Sequence, residues 1–105
     1  MIIKLPILAD SYDQQFNIQL SSKTYTFRVR YNQTEDAWYC YIGLIAEDPK
    51  IKIKLVTGIE LLAPWRAYEE VPEGYMYVYD KDLIYGRPGK DNFNQDARFI
   101  LVMIV

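Results

Sequence analysis

Carboxylate pairs are the most obvious source of catalytic chemistry in this chain. Asp10 with Asp13, Glu35 with Asp36, and Glu69 with Glu70 each offer the two acidic groups that an acid–base hydrolysis needs. Each pair falls in a polar stretch between apolar runs, where solvated carboxylates are expected, so spacing alone does not assign catalysis. Histidine is absent, which removes the commonest general base and the commonest metal ligand together. The single cysteine, Cys40, leaves no thiolate cluster for zinc. It shares the strand face of Trp38 and Ile42, where a thiol packs rather than attacks. Asp91, Asn92, Asn94 and Asp96 offer oxygen ligands, yet their spacing does not match a calcium loop. Neither a phosphate-cradling glycine loop nor a serine elbow is present. The expectation is no enzyme, no metal and no cofactor.

What remains is an aromatic surplus. The chain has ten tyrosines, and two groups alternate along apolar runs: Tyr39 with Tyr41, and Tyr75 with Tyr77 and Tyr79. Tyrosine suits surfaces that are wet in one state and covered in another, because its ring supplies area while its hydroxyl keeps a hydrogen-bond partner. These five residues are candidate contact residues, for a protein or for a glycan or other ligand. Lys50, Lys52 and Lys54 would reach phosphates next to stacking aromatics, but lysines on one side of a strand more simply discourage edge-to-edge pairing.

The elements that must carry these residues read as strands. Period-two alternation dominates, and no segment keeps the 3.6-residue apolar repeat of a helix. Phe16, Ile18 and Leu20 share one face of a strand, and Ser21-Ser22 is expected to turn it into the next. There Tyr25, Phe27, Val29 and Tyr31 face one way, and Thr24, Thr26, Arg28 and Arg30 the other. The polar loop 32–36 hands over to a third strand from about Ala37 to Ile45, with Trp38, Cys40, Ile42 and Leu44 inward. Residues 50–55 alternate again. From Thr57 to Pro72 the pattern weakens around Gly58, Pro64 and Pro72, leaving Ile59, Leu61 and Leu62 as a short buried strand or turn. Tyr75 to Tyr79 is a further strand, followed by a long polar connection over 81–96 of the kind that tends to be functional or mobile.

The final run, Phe99 to Val105, is apolar on both faces: Phe99, Leu101, Met103 and Val105 on one, Ile100, Val102 and Ile104 on the other. Such a strand is central in a closed barrel or sandwich, partly covered by the N-terminal segment, or it packs one face on another chain. Ile100, Val102 and Ile104 therefore join the tyrosines as candidate interface residues. The fold class is all-β: a small antiparallel β-barrel or compact β-sandwich built from hairpins.

With 105 residues, 50% of them hydrophobic and 25% charged, the chain has the composition of one globular domain, and 1–105 is read as a single β domain. A net charge of -2 argues against specific nucleic-acid binding, which needs a basic excess. One cysteine fits a reducing compartment. No run approaches the length of a membrane-spanning helix, and the first residues lack the pattern of a signal peptide, so synthesis in the cytoplasm is expected.

One further pattern points to a family. Phe16-Asn17-Ile18-Gln19-Leu20, then Tyr25-Thr26-Phe27-Arg28-Val29-Arg30-Tyr31-Asn32, Trp38-Tyr39, Gly58, Leu61-Leu62 and Gly74 form a series that resembles the small baseplate plug proteins of contractile-tailed bacteriophages. The likeness runs from about Leu5 to Tyr79 and is most specific from Tyr31-Asn32 through Trp38. Tyr25, Tyr31, Asn32, Trp38, Gly58, Leu61, Leu62 and Gly74 are its family-like structural positions. The resemblance implies a non-enzymatic virion structural protein near the centre of the tail baseplate, made in the bacterial host from a phage or prophage. It would plug or join the central hub and tube, touch hub, tube or spike proteins, and allow a homo-oligomer. The other reading is a glycan- or ligand-binding β module that uses surface tyrosines.

Overall fold

Side chains that alternate in type along the sequence end up on opposite faces of strands, as a two-residue period requires. The computed structural model describes residues 1–20, 22–84 and 86–105. In chain order the strands are β1 (Ile2–Lys4), β2 (Asp13–Leu20), β3 (Lys23–Asn32), β4 (Ala37–Leu44), β5 (Ile51–Lys54), β6 (Tyr75–Asp80) and β7 (Phe99–Ile104). They form two antiparallel sheets, one ordered β2-β3-β4-β5 and the other β1-β7-β6. The sheets are not closed into a barrel. Of the two expected arrangements, the structure has the sandwich-like one.

The inner faces meet in one buried cluster. Phe27, Val29, Trp38, Cys40, Ile42, Ile51 and Ile53 come from the four-stranded sheet, and Met76, Val78, Phe99, Leu101 and Met103 from the three-stranded one. Leu5, Ile7, Leu55, Leu61, Leu62 and Phe93 close its margins. Burial of these apolar side chains drives the packing of sheet on sheet, at roughly 25 cal/mol per Å² removed from water.

β2 and β3 pair from Asp13 opposite Arg30 to Leu20 opposite Lys23. Of the two expected turn residues, Ser22 adopts a left-handed φ of 67, and Ser21 lies outside the described residues. In the loop between β3 and β4, the Asn32 side chain accepts a hydrogen bond from the Glu35 backbone N–H at 3.1 Å. Asp36 takes φ 50, a conformation that Asn and Asp tolerate better than most residues.

The N-terminal segment does not lie over β7. It pairs beside it as edge strand β1, with Ile3 opposite Met103. Its backbone groups are satisfied in the ladder, where Leu5 N–H donates to Leu101 O and Val105 N–H to Met1 O. An extended segment laid across the face would have left them unpaired.

Residues 57–72 hold a single 3-10 turn at Ala63–Trp65, with Pro64 at its start. The Glu60 carboxylate organises this stretch, accepting the backbone N–H groups of Leu62 at 2.8 Å and Met76 at 2.9 Å and pairing with Arg66. Leu61 and Leu62 are thereby turned into the core. Gly74 then enters β6 at φ +119, where an added Cβ would sit 2.6 Å from Ile104 O. Only glycine fits that approach. Among the described residues no helix is long and apolar enough to cross a membrane.

Candidate functional site

The cross-strand register of the three-stranded sheet decides what its outer face displays. Tyr75 lies opposite Ile104, Tyr77 opposite Val102, and Tyr79 opposite Ile100. On the other side of β7, Ile2 lies opposite Ile104 and Lys4 opposite Val102. The structure thus brings six of the eight predicted interface residues onto one surface: Tyr75, Tyr77, Tyr79, Ile100, Val102 and Ile104. The rows read Ile2-Ile104-Tyr75 and Lys4-Val102-Tyr77 across the sheet.

This surface is open along its rim and concave along its middle. Tyr75 is 53% exposed, Tyr79 47% and Ile104 37%, while Ile100 is 5% exposed and forms the floor. Ile2, Lys4, Gly58, Leu83, Tyr77, Tyr79, Ile100, Val102 and Ile104 line a shallow, mainly apolar groove of about 600 Å³. Leu83, at φ 55, stands at its margin and is 62% exposed. Contiguous apolar surface of this kind is uncommon on a solitary soluble domain.

Tyr39 and Tyr41 lie elsewhere. They point outward from β4, on the face of the four-stranded sheet turned away from the shared core, and so on the opposite side of the molecule. There Tyr39 sits between Arg30 and Lys54, and Tyr41 between Arg28 and Lys52. The Lys52 ammonium stands 4.5 Å from the Tyr39 ring centre and 5.9 Å from that of Tyr41. Tyr39 donates its hydroxyl proton to the Glu35 carboxylate, which also pairs with Lys54. That bond raises the Tyr39 pKa and lowers that of Glu35. Asp13 takes a two-pronged contact from Arg28 and a second one from Arg30; the Arg28 hydrogen bond holds its carboxyl below the usual range.

The family-like positions are distributed through the frame. Trp38 stacks against Tyr31, Tyr12 and Phe93 with ring centres 5.1 to 6.2 Å apart. Its indole N–H donates to Gly89 O at 2.6 Å. Tyr25 is buried, Tyr31 and Asn32 are half-buried at the end of β3, and Gly58 takes φ +85 beside the groove. The Tyr31 hydroxyl donates to Asp36, which pushes its pKa up to about 12.

The Trp38 bond helps pin the connection over 81–96. Pro88 and Phe93 are buried there, and Gly89 N–H donates to the Asn92 side chain at 2.7 Å. Three of the four side chains read as possible cation ligands serve as internal acceptors: Asn92 for Gly89, Asn94 for Asp96 N–H, and Asp91 for the Tyr12 hydroxyl.

Sequence reasoning missed a second latch. Asp80, its side chain almost wholly buried, accepts two hydrogen bonds from Arg98 and the backbone N–H groups of Asp82 and Gly86. The Arg98 hydrogen bonds, with backbone donors assisting, hold its carboxyl well below the usual range. Period two would have found it: Asp80 falls on the inward side of β6 with Met76 and Val78, and a buried carboxylate requires a partner. Cys40 is fully buried, and burial pushes its thiol up to about 12. Among the described residues no group of three or more His, Cys, Asp or Glu side chains is placed to hold a metal.

Two sheets packed around one core, with one apolar outer face, define a small β-sandwich. No curated protein matches the chain. Residues 2–104 match the family described as "Cyanophage baseplate Pam3 plug gp18", and the chain belongs to that family. It is a phage tail baseplate protein, a structural part of the virion.

Proposed function

We propose that this protein plugs or joins the central hub and tube of the baseplate, and that it does so through the outer face of the β1-β7-β6 sheet. The observation that carries this reading is the convergence of Tyr75, Tyr77, Tyr79, Ile100, Val102 and Ile104 on one uncovered face. Family membership supplies the setting, and the groove supplies a surface of the right character. Apolar floor, tyrosine rim and a single lysine match the composition of interface centres, which are depleted in charge and enriched in aromatics. The partners are hub, tube or spike proteins of the same tail, and the chain works as one β domain made in the bacterial host's cytoplasm. No bond-breaking step is required of it.

The test is reconstitution. The chain is co-expressed with hub, tube and spike proteins of the same phage, and complexes are weighed by native mass spectrometry. Wild type should enter a complex, and Val102→Asp should weaken it by about 100-fold, because docking strips water from the carboxylate and its exposed cross-strand neighbour Lys4 returns only part of that cost. A Val102→Asp protein that folds and assembles like wild type would sink the reading.

A further inference from the structure

Each sheet edge exposes unpaired backbone N–H and C=O groups, and proteins protect such edges by shortness, charge or cover. Three edges of this sandwich are protected. β1 is three residues long and carries Lys4. β5 bonds to β4 through Ile51, Ile53 and Leu55, so its outward groups belong to Lys52 and Lys54. On β6 the outward groups of Met76 are taken by Glu60 and Leu61, and Asp80 O accepts from Leu83 N–H.

The β2 edge is different. It is eight residues long and pairs with β3 without a bulge. Tyr31 N–H donates to Tyr12 O on one side of β3, and Ile45 N–H to Thr24 O on the other. That phase turns the backbone groups of Gln14, Phe16 and Ile18 toward β3 and those of Gln15, Asn17 and Gln19 away from it. Gln15, Asn17 and Gln19 are exposed and uncharged. Among the described residues no other backbone segment bonds to them.

We propose that this edge pairs with the β2 edge of a second copy of the chain, antiparallel about a two-fold axis at Asn17. The outward series Gln15, Asn17, Gln19 reads the same in both directions. Such pairing therefore sets Gln15 opposite Gln19 of the second copy and Asn17 opposite Asn17, with both members of each pair presenting free N–H and C=O groups. On the inner side it brings half-buried Phe16 against half-buried Ile18, a favourable aromatic and β-branched neighbourhood. Charge allows it as well. Asp13 lies beyond these pairs and is neutralised by Arg28 and Arg30, whereas the same operation on β5 would set lysine against lysine. The product is one continuous sheet through two sandwiches, closed by symmetry. Both tyrosine faces remain free, so the pairing stands apart from the docking role above.

Light scattering on the purified chain, from micromolar to millimolar concentration, should show its mass rising from 12.4 kDa toward twice that value. The double substitution Gln15→Lys with Gln19→Lys should weaken pairing by at least about 100-fold by setting like charges opposite each other. Circular dichroism should remain that of the wild type, since both side chains are solvent-facing. Gln15→Glu with Gln19→Glu should likewise be monomeric, and an equimolar mixture of the two variants should recover the dimer. Wild type that stays monomeric throughout, or a dimer indifferent to the lysines, would overturn the proposal. So would variants that fold but fail to pair when mixed. A monomeric wild type that instead binds a strand of another tail protein in a lysine-sensitive way would reassign the edge to that partner.

Discussion

The two outer faces of this sandwich present the same residue type to opposite ends. On the β4 face, Tyr39 and Tyr41 sit among Arg28, Arg30, Lys52 and Lys54, with Asp13 and Glu35 balancing the charge. On the β6 face, Tyr75, Tyr77 and Tyr79 sit beside Ile104, Val102 and Ile100; Arg66 stands 4.7 Å from the Tyr75 ring centre at one end, and among the described residues that line the groove Lys4 is the only cation. On the charged face the Lys52 ammonium stands near both rings and the Tyr39 hydroxyl is held by Glu35. A tyrosine with aliphatic neighbours extends an apolar surface that this chain leaves uncovered. Strand position alone does not distinguish the two cases, because the deciding neighbours come from other strands.

The largest effect that would sharpen this contrast lies on β7, whose alternate residues serve different ends. Leu101→Ala empties a site in the core and should cost about 2–5 kcal/mol in urea unfolding of the isolated protein. Val102→Ala, one residue on, should cost under about 1 kcal/mol in the same experiment, because its side chain is only half-buried on the outer face. Equal losses at the two positions would mean that the outer face is already packed.

An intermediate effect is expected from acid. The Asp80 carboxyl is held below its unfolded value, so the stability it contributes is present above about pH 4 and is lost as pH falls toward its folded value. Thermal unfolding followed from pH 7 to pH 2 should show the wild type losing stability below about pH 4. Asp80→Asn should start lower at pH 7, since Arg98 keeps only the exposed Asp82 as an ionic partner, and should fall less steeply in acid. A parallel acid profile for the two proteins would show that Asp80 does not govern this limb.

The smallest effect belongs to the charged face. Asp13→Asn removes one member of an exposed network and should cost at most about 1 kcal/mol, diminishing as salt is added. Denaturation midpoints at low and high ionic strength would measure it. A loss above about 2 kcal/mol would mean that this face is more than a solvated, charge-balanced surface.

Much of this architecture was legible in the residues themselves. Alternation located β2, β3, β4, β5 and β6, the continuous apolar run from Phe99 located β7, and the family resemblance that began at Tyr31-Asn32 and Trp38 extends over nearly the whole chain. What alternation could not carry was anything formed between distant segments. β1 is too short to show a period, and its place beside β7 depends on backbone pairing across the length of the chain. Glu60 and Asp80 drew no reading from the sequence: period two puts Asp80 inward, but the partners that make the two carboxylates latches, Met76 N–H and Arg98, lie 16 and 18 residues away. Barrel and sandwich differ only in whether edge strands meet, and that is decided by the four edges together. The candidate interface followed the same rule: each alternating row was visible, but its division between two sides of the molecule was not.

Cys40 turns the packing of this core into something that can be timed. It is the chain's only cysteine, it is fully buried, and its thiol is pushed up to about 12. A thiol-specific reagent can reach it only when the sandwich opens, so the rate of labelling at fixed pH reports the population of open molecules. Compared between the free chain and the assembled baseplate, that rate would express as a ratio how much assembly suppresses opening.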